Sequence, residues 1–316
     1  MDRREFLKSA AIAGAAATIK LKARAQDAVP TEAVAEDAAA KAATPAPVVV
    51  AVRNGEPAAM FRKGIEELGG MKAFVKPGQK VTVKPNIGWD RTPEQGANTD
   101  PELVAEIVRQ ALAAGAASVT VFDRTCNEWT RCYKNSGIEQ AAKDAGAQVV
   151  PGNDENPWYV ERTCDQAVKM KSAKVHKALL EADVVINVPI LKNHGGAKMT
   201  AAMKNWMGVV WDRQYMHRND LPQCIADSIL YRKPDLNIID AYRVMISNGP
   251  RGAGDGTSDV VVKKYQILST DIVAADTMAL KVIEYKIEQV PYLKMGEKLG
   301  LGSTDESTYD IKRVVA

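Results

Sequence analysis

From residue 48 onward, short β-branched runs alternate with stretches in which apolar side chains recur every three or four positions. The run 48–52 has the pattern of a buried strand, 58–68 that of an amphipathic helix, and 80–84 that of a second strand. A helix is predicted over 101–114, with Asp100 as N-cap and Pro101 in the first turn, where its missing N–H costs nothing. A strand at 118–122, a helix at 137–145 ended by Gly146, and a strand at 148–150 follow. Next come a helix over 174–181, with His176 facing solvent near its start, and a strand at 183–188. That last run is apolar on both faces apart from Asp183 and Asn187, as in a strand covered from two sides. Such alternation predicts an α/β fold with a mainly parallel sheet flanked by helices.

The second half is less regular. Helices are predicted at 197–207 and 221–231, then a strand at 236–240. The loop Gly249–Gly256 separates 244–246 from 260–268, which implies an antiparallel extension of the sheet. Lacking the lysine and hydroxyl ending of a phosphate loop, and joining strands, this segment is expected to be a hairpin loop. Helices at 272–284 and 292–299 follow. With no internal repeat and no second linker, residues 48–316 are expected to form one domain.

Ahead of that domain, residues 26–47 are rich in Ala and Pro and poor in large apolar side chains, so they read as a disordered linker. Residues 1–25 hold Arg3-Arg4-Glu5-Phe6-Leu7-Lys8, a mild apolar stretch and then Ala23-Arg24-Ala25. This order resembles a twin-arginine (Tat) signal peptide. The resemblance implies export of the folded protein by the Tat translocase, cleavage before Gln26 and a periplasmic or other extracytoplasmic location. No apolar run is long enough to span a bilayer, so no transmembrane span is expected after cleavage.

Composition narrows the function classes. With 46% hydrophobic and 26% charged residues, collagen-like, coiled-coil and wholly disordered chains are excluded. The formal charge of +3 belongs to the precursor. Residues 1–25 carry six of the 42 Lys and Arg and two of the 39 Asp and Glu, leaving 36 against 37. No basic stripe remains to point to nucleic acid.

Ligands of open α/β sheets bind beyond the carboxyl ends of the strands, so the residues following each strand are the informative ones. These are Lys84-Pro85-Asn86, Asp123-Arg124, Lys192-Asn193-His194-Gly195-Gly196 and Asp240. Lys192 and His194 place a cation and an imidazole two residues apart, and Gly195 and Gly196 let backbone N–H groups approach an anion. Lys84 with Asn86 has similar character, and the set reads as a site for a carboxylate, phosphate or other anion. His194 is the candidate proton-transfer group or metal ligand. His217 is a second candidate ligand for a divalent metal, and an acidic residue would complete the set. Cys126, Cys132, Cys164 and Cys224 show no C-x-x-C spacing, which argues against an iron–sulfur cluster. A disulfide between Cys126 and Cys132, a bridge from either to Cys164, and free thiols all remain open.

Five groups of residues carry a family resemblance: Lys84-Pro85-Asn86, the pair Thr99/Pro101, the run 187–194, the run Met203-Lys204-Asn205-Trp206-Met207-Gly208, and the pair Asp271/Asp276. Together they resemble the DUF362 family over roughly residues 48–290. Many members join this domain to ferredoxin-type modules, which implies a redox setting, although this chain has no cysteine-rich module. By residue match the resemblance implies a site at Lys84, Asn86, Lys192, His194, Lys204 and Asn205. From a helix over 197–207, Lys204 and Asn205 can reach the same cavity. The expected function is binding of an anionic small molecule, or a metal–anion pair, in a cleft lined by these residues with Asp240. Were it an enzyme, Lys192 and Lys204 would stabilise negative charge while His194 moves a proton. The competing expectation is a non-catalytic binding or assembly protein for an extracytoplasmic redox complex, docking a partner protein through surface near Trp206 and Trp211.

Overall fold

The computed structural model describes residues 46–254 and 256–316. The twin-arginine motif and nearly all of the 26–47 linker lie outside them.

The first half runs β1 (Val48–Arg53), α1 (Pro57–Glu66), α2 (Met71–Phe74), β2 (Lys80–Pro85), α3 (Pro101–Ala113), β3 (Ser118–Val121), α4 (Trp129–Asn135), α5 (Ile138–Asp144) and β4 (Gln148–Val149). A hairpin of β5 (Tyr159–Thr163) and β6 (Ser172–His176) follows, then α6 (Lys177–Leu180) and β7 (Val184–Val188). The remainder comprises β8 (Ile190–His194), β9 (Lys198–Thr200), α7 (Ala202–Asn205), α8 (Arg213–Arg218), α9 (Leu221–Ile229), β10 (Leu236–Met245), β11 (Val260–Ser269), α10 (Ile272–Ile283), α11 (Tyr292–Lys298) and β12 (Asp310–Val315).

Among the described residues ten strands make one sheet, ordered β12-β1-β11-β10-β7-β2-β3-β4, with β8 running beside β10 and β9 beside β8. From β10 to β4 the neighbours are parallel, as the alternating pattern requires. Pairings of β11 with β10 and with β1 are antiparallel and form the extension. Helices α1, α3 and α5 pack one face of the sheet and α7, α9, α10 and α11 the other, each over its own apolar core. Strand β7, between those two layers, is buried at every position. Asp100 caps α3 as expected, accepting from the backbone N–H groups of Glu102 and Leu103.

Two expected helices fail, each where tertiary pairing overrides a local pattern. Residues 172–176 are strand, because β6 pairs with β5, and the helix begins only at Lys177. His176 is consequently buried rather than facing solvent. Its ring stacks on Phe122 at 3.9 Å, its Nδ1 accepts from Ala178 N–H to cap α6, and its Nε2 lies 3.1 Å from the Pro151 carbonyl. Burial lowers its pKa to about 4. Helix 197–207 is instead a strand, one α-turn and a 3₁₀ turn over Trp206–Val209. The stretch after Pro189, for which no element was predicted, is a second strand: β8 takes up the edge of β10 beyond the end of β7.

Candidate functional site

The β8 pairing decides the geometry of the site. In a strand alternate side chains share a face, so Lys192 and His194 stand together, while Asn193 points away to bond Tyr285 Oη at 2.7 Å. Register with β9 sets Thr200 opposite Lys192. The chain then turns through α7, which delivers Lys204 and Asn205. Its first two N–H groups, on Ala202 and Met203, are held by the carboxylate of Asp276 from α10 at 2.6 and 3.0 Å. Burial raises the Asp276 pKa to about 7.

These segments, the ends of β2 and β3, the β5–β6 hairpin and α8 enclose a cleft of about 1070 Å³. Asn86, Lys192, His194, Lys204, Asn205 and His217 all line it, so six of the expected site residues meet in one cavity.

Beneath the floor lies a saturated polar layer. Lys84 is fully buried, and its Nζ contacts Asp123 Oδ1 at 2.6 Å, the Pro85 carbonyl at 2.8 Å and Asn205 Oδ1 at 3.0 Å. The other Asp123 oxygen accepts from Ile87 N–H at 2.7 Å. Asn205 Oδ1 also accepts from Asn86 Nδ2 at 2.9 Å, and Asn205 Nδ2 donates to Asn187 Oδ1 at 2.9 Å. Gly208 lies directly over the ion pair, where a Cβ would come within 2.0 Å of Asp123 Oδ1 and 2.7 Å of Lys84 Nζ. Lys84 therefore does not line the cleft as a ligand group. It is the ion-paired support under Asn86 and Asn205.

The floor itself is cationic and poorly matched. Lys192, 1% exposed, donates to the Ala97 carbonyl and to Asn86 Oδ1 at 3.3 Å, and no carboxylate lies within ion-pairing distance among the described residues. Burial lowers its pKa to about 7. Lys204 makes no hydrogen bond and no ion pair among the described residues; burial, with Arg213 and Lys84 nearby, lowers its pKa to about 8.

Two arginines complete the cationic wall. Arg124 follows β3, sits 4.4 Å over the Trp211 ring and keeps a buried Nε without a partner. Arg213, from α8, grips the loop by donating to the Arg124 carbonyl at 2.8 Å and the Thr125 carbonyl at 2.5 Å. Thr200 Oγ1, also in the cleft wall, is buried and unpartnered. The sequence pointed to Arg124 only as a strand-end residue. Asp123 had the same standing, while Arg213 and Thr200 were not chosen, because their roles arise from elements far apart in the chain.

His194 departs from its expected chemistry. Its Nδ1 accepts from the N–H groups of Gly196 at 3.1 Å and Ala197 at 3.0 Å, which fixes the proton on Nε2. Burial and the neighbouring lysines depress its pKa strongly, so the ring is a neutral donor rather than a base. Ligating a metal through Nε2 would move the proton to Nδ1, against two N–H groups. The described residues also contain no cluster of three or more His, Cys, Asp or Glu able to hold a metal. The donor set does not fit a divalent metal.

Other expected residues fall outside the cavity. Gly195 N–H is engaged by the Gly249 carbonyl and Gly196 N–H by His194, so neither is free for an anion. Asp240 is buried in β10, where its oxygens accept from the N–H groups of Asp100 and Tyr242 and steady the start of α3. Trp206 is wholly buried and cannot form a docking surface, whereas Trp211 walls the cleft. All four cysteines are free thiols.

Fold and cleft together define the class: an α/β protein with a mainly parallel sheet and a cationic cleft at the strand ends. The chain belongs to the DUF362 family, a domain of unknown function, whose profile matches residues 81–281. It is similar to the thylakoid-associated protein sll1697 of Synechocystis sp. (strain ATCC 27184 / PCC 6803 / Kazusa), at 26% identity over 254 residues, 78% of this chain and 76% of that protein. Among solved structures it is similar to the lactate racemase apoprotein of Thermoanaerobacterium thermosaccharolyticum, with a TM-score of 0.42 and 12% identity over 68% of this chain. A Thermotoga maritima crystal structure gives a TM-score of 0.40 and 12% identity over 77% of this chain. The chain spans 53% and 60% of those two proteins, and at this similarity nothing about chemistry passes from them.

Proposed function

We propose that this protein binds an anionic small molecule in the cleft, and that it does so outside the cytoplasm after export by the twin-arginine route. One observation carries the first part: Lys192, Lys204, Arg124 and Arg213 converge on one cavity, and none of the four has an ion-pair partner among the described residues. Desolvated cations without carboxylates oppose folding, and an anion in the cleft relieves that cost. The unpartnered Arg124 Nε and Thr200 Oγ1, and the Nε2–H of neutral His194, are donors suited to its oxygens. For export, the support is the Arg3-Arg4 motif; no helix among the described residues is long and apolar enough to cross a membrane.

Calorimetric titration with citrate and with inorganic phosphate tests the binding. Micromolar to millimolar affinity is expected, reduced about tenfold to a hundredfold in Arg124→Gln, since a hydrogen bond to a charged group contributes about 1.5–3 kcal/mol. Equal affinity in Arg124→Gln and Lys204→Met would overturn the site. For export, an Arg3→Lys/Arg4→Lys double substitution is expected to retain the precursor inside the cell, as read by fractionation and immunoblotting.

A further inference from the structure

The three lysines at the base of the cleft are not equivalent. Lys84 is ion-paired to Asp123, and Lys192 is tied to Asn86 and the Ala97 carbonyl. Lys204 alone of the three has an amine without a partner, and it stands in a cavity whose other cations suit carboxylates. Asn205, the residue after Lys204, is locked to Asn86, Asn187 and the Lys84 carbonyl, so the turn bearing Lys204 is held rigidly. We propose that Lys204 is a nucleophile that forms an imine with the carbonyl carbon of a 2-oxo acid, whose carboxylate is held by Arg124 and Arg213. The proposal rests on the anion-site reading and narrows it to a substrate class.

In the neutral amine, the nitrogen lone pair bonds the carbonyl carbon as the C=O π pair moves onto oxygen. Two protons pass from nitrogen to that oxygen, which leaves as water, and a C=N bond remains. One proton from solvent then gives the iminium, with no oxidant or reductant consumed. The amine must be neutral to attack, and desolvation beside other cations supplies that condition. With its pKa lowered to about 8, Lys204 is neutral far more often near pH 7 than a solvated lysine.

The experiment uses the full chain with 2-oxoglutarate and sodium cyanoborohydride, intact mass and peptide mapping, alongside calorimetry with 2-hydroxyglutarate, which has the carboxylates without the carbonyl. One reduced adduct per chain is expected, mapping to Lys204 and forming at least tenfold faster than adducts on other lysines. It is expected to vanish in Lys204→Arg, whose cooperative unfolding in urea shows that the variant is folded. Binding of both acids without an adduct at Lys204, or labelling that persists unchanged in Lys204→Arg, overturns the imine and leaves the anion site standing. Failure of both acids, citrate and phosphate to bind overturns the anion site as well.

Discussion

Lys84 and Lys204 are contributed by segments that meet at Asn205, and the two residues illustrate opposite uses of a desolvated cation. Lys84 Nζ has a carboxylate at 2.6 Å, two further acceptors and a glycine closing the pair from above. Lys204 has none of these and faces the cleft. Burial lowers both pKa values, but only for Lys84 does an adjacent Asp123 push strongly the other way. A cation whose interactions are complete holds the fold together. One left incomplete, with a cavity in front of it, costs stability and is available to a ligand.

Removing the carboxylate is the most severe way to test that contrast. Asp123→Ala strands a buried ammonium and is expected to cost about 3–5 kcal/mol in urea unfolding. If Lys204→Met cost as much, the distinction between the two lysines would collapse. Gly208→Ala comes next: a methyl group placed on the Lys84–Asp123 pair is expected to cost about 1–3 kcal/mol or more, seen as a lower Tm.

The cleft floor is expected to respond to pH in binding more than in folding. As pH rises from 6 to 9, the ammonium groups of Lys192 and Lys204, with pKa values lowered to about 7 and about 8, lose their protons. Citrate affinity should fall on the order of tenfold over that interval by calorimetry, and a flat profile would show that these amines do not carry the site.

The smallest loss expected is that of Lys204→Met, which should not destabilise the protein near pH 7, because no partner is orphaned and a desolvated charge is removed. Since folding lowers the pKa of Lys204, the unfolded chain binds the extra proton between about 8 and 10.5. Its charged form opposes folding below that window, and the parent gains stability relative to the variant as pH rises through it. A difference that narrows in the other direction would contradict the desolvation of Lys204.

Much of this contrast was legible in the residues. Lys192, His194, Lys204 and Asn86 were expected in one cleft and they line it. Asp240 was misread because a carboxylate at the end of an apolar run looks like a ligand group; the backbone of Asp100, 140 residues away, claims it instead. His194 was expected as a proton-transfer group or metal ligand, and what the residues did not reveal is its protonation, set by the backbone of Gly196 and Ala197. The α-turn bearing Lys204 was taken for a longer helix, its apolar pattern being equally compatible with a strand paired to β8.

Strand-and-helix alternation, the N-cap at Asp100 and the polar strand ends follow from the sequence alone, because periodicity and capping act between residues close together in the chain. Which cations are neutralised and which are left free was decided only by the tertiary structure. Asp123 lies beside Lys84 because β2 and β3 are parallel neighbours, whereas the path of β8, β9 and α7 leaves Lys204 beyond ion-pairing distance of any carboxylate among the described residues. Charge compensation depends on distances of a few ångströms between residues remote in sequence, and only packing sets those distances.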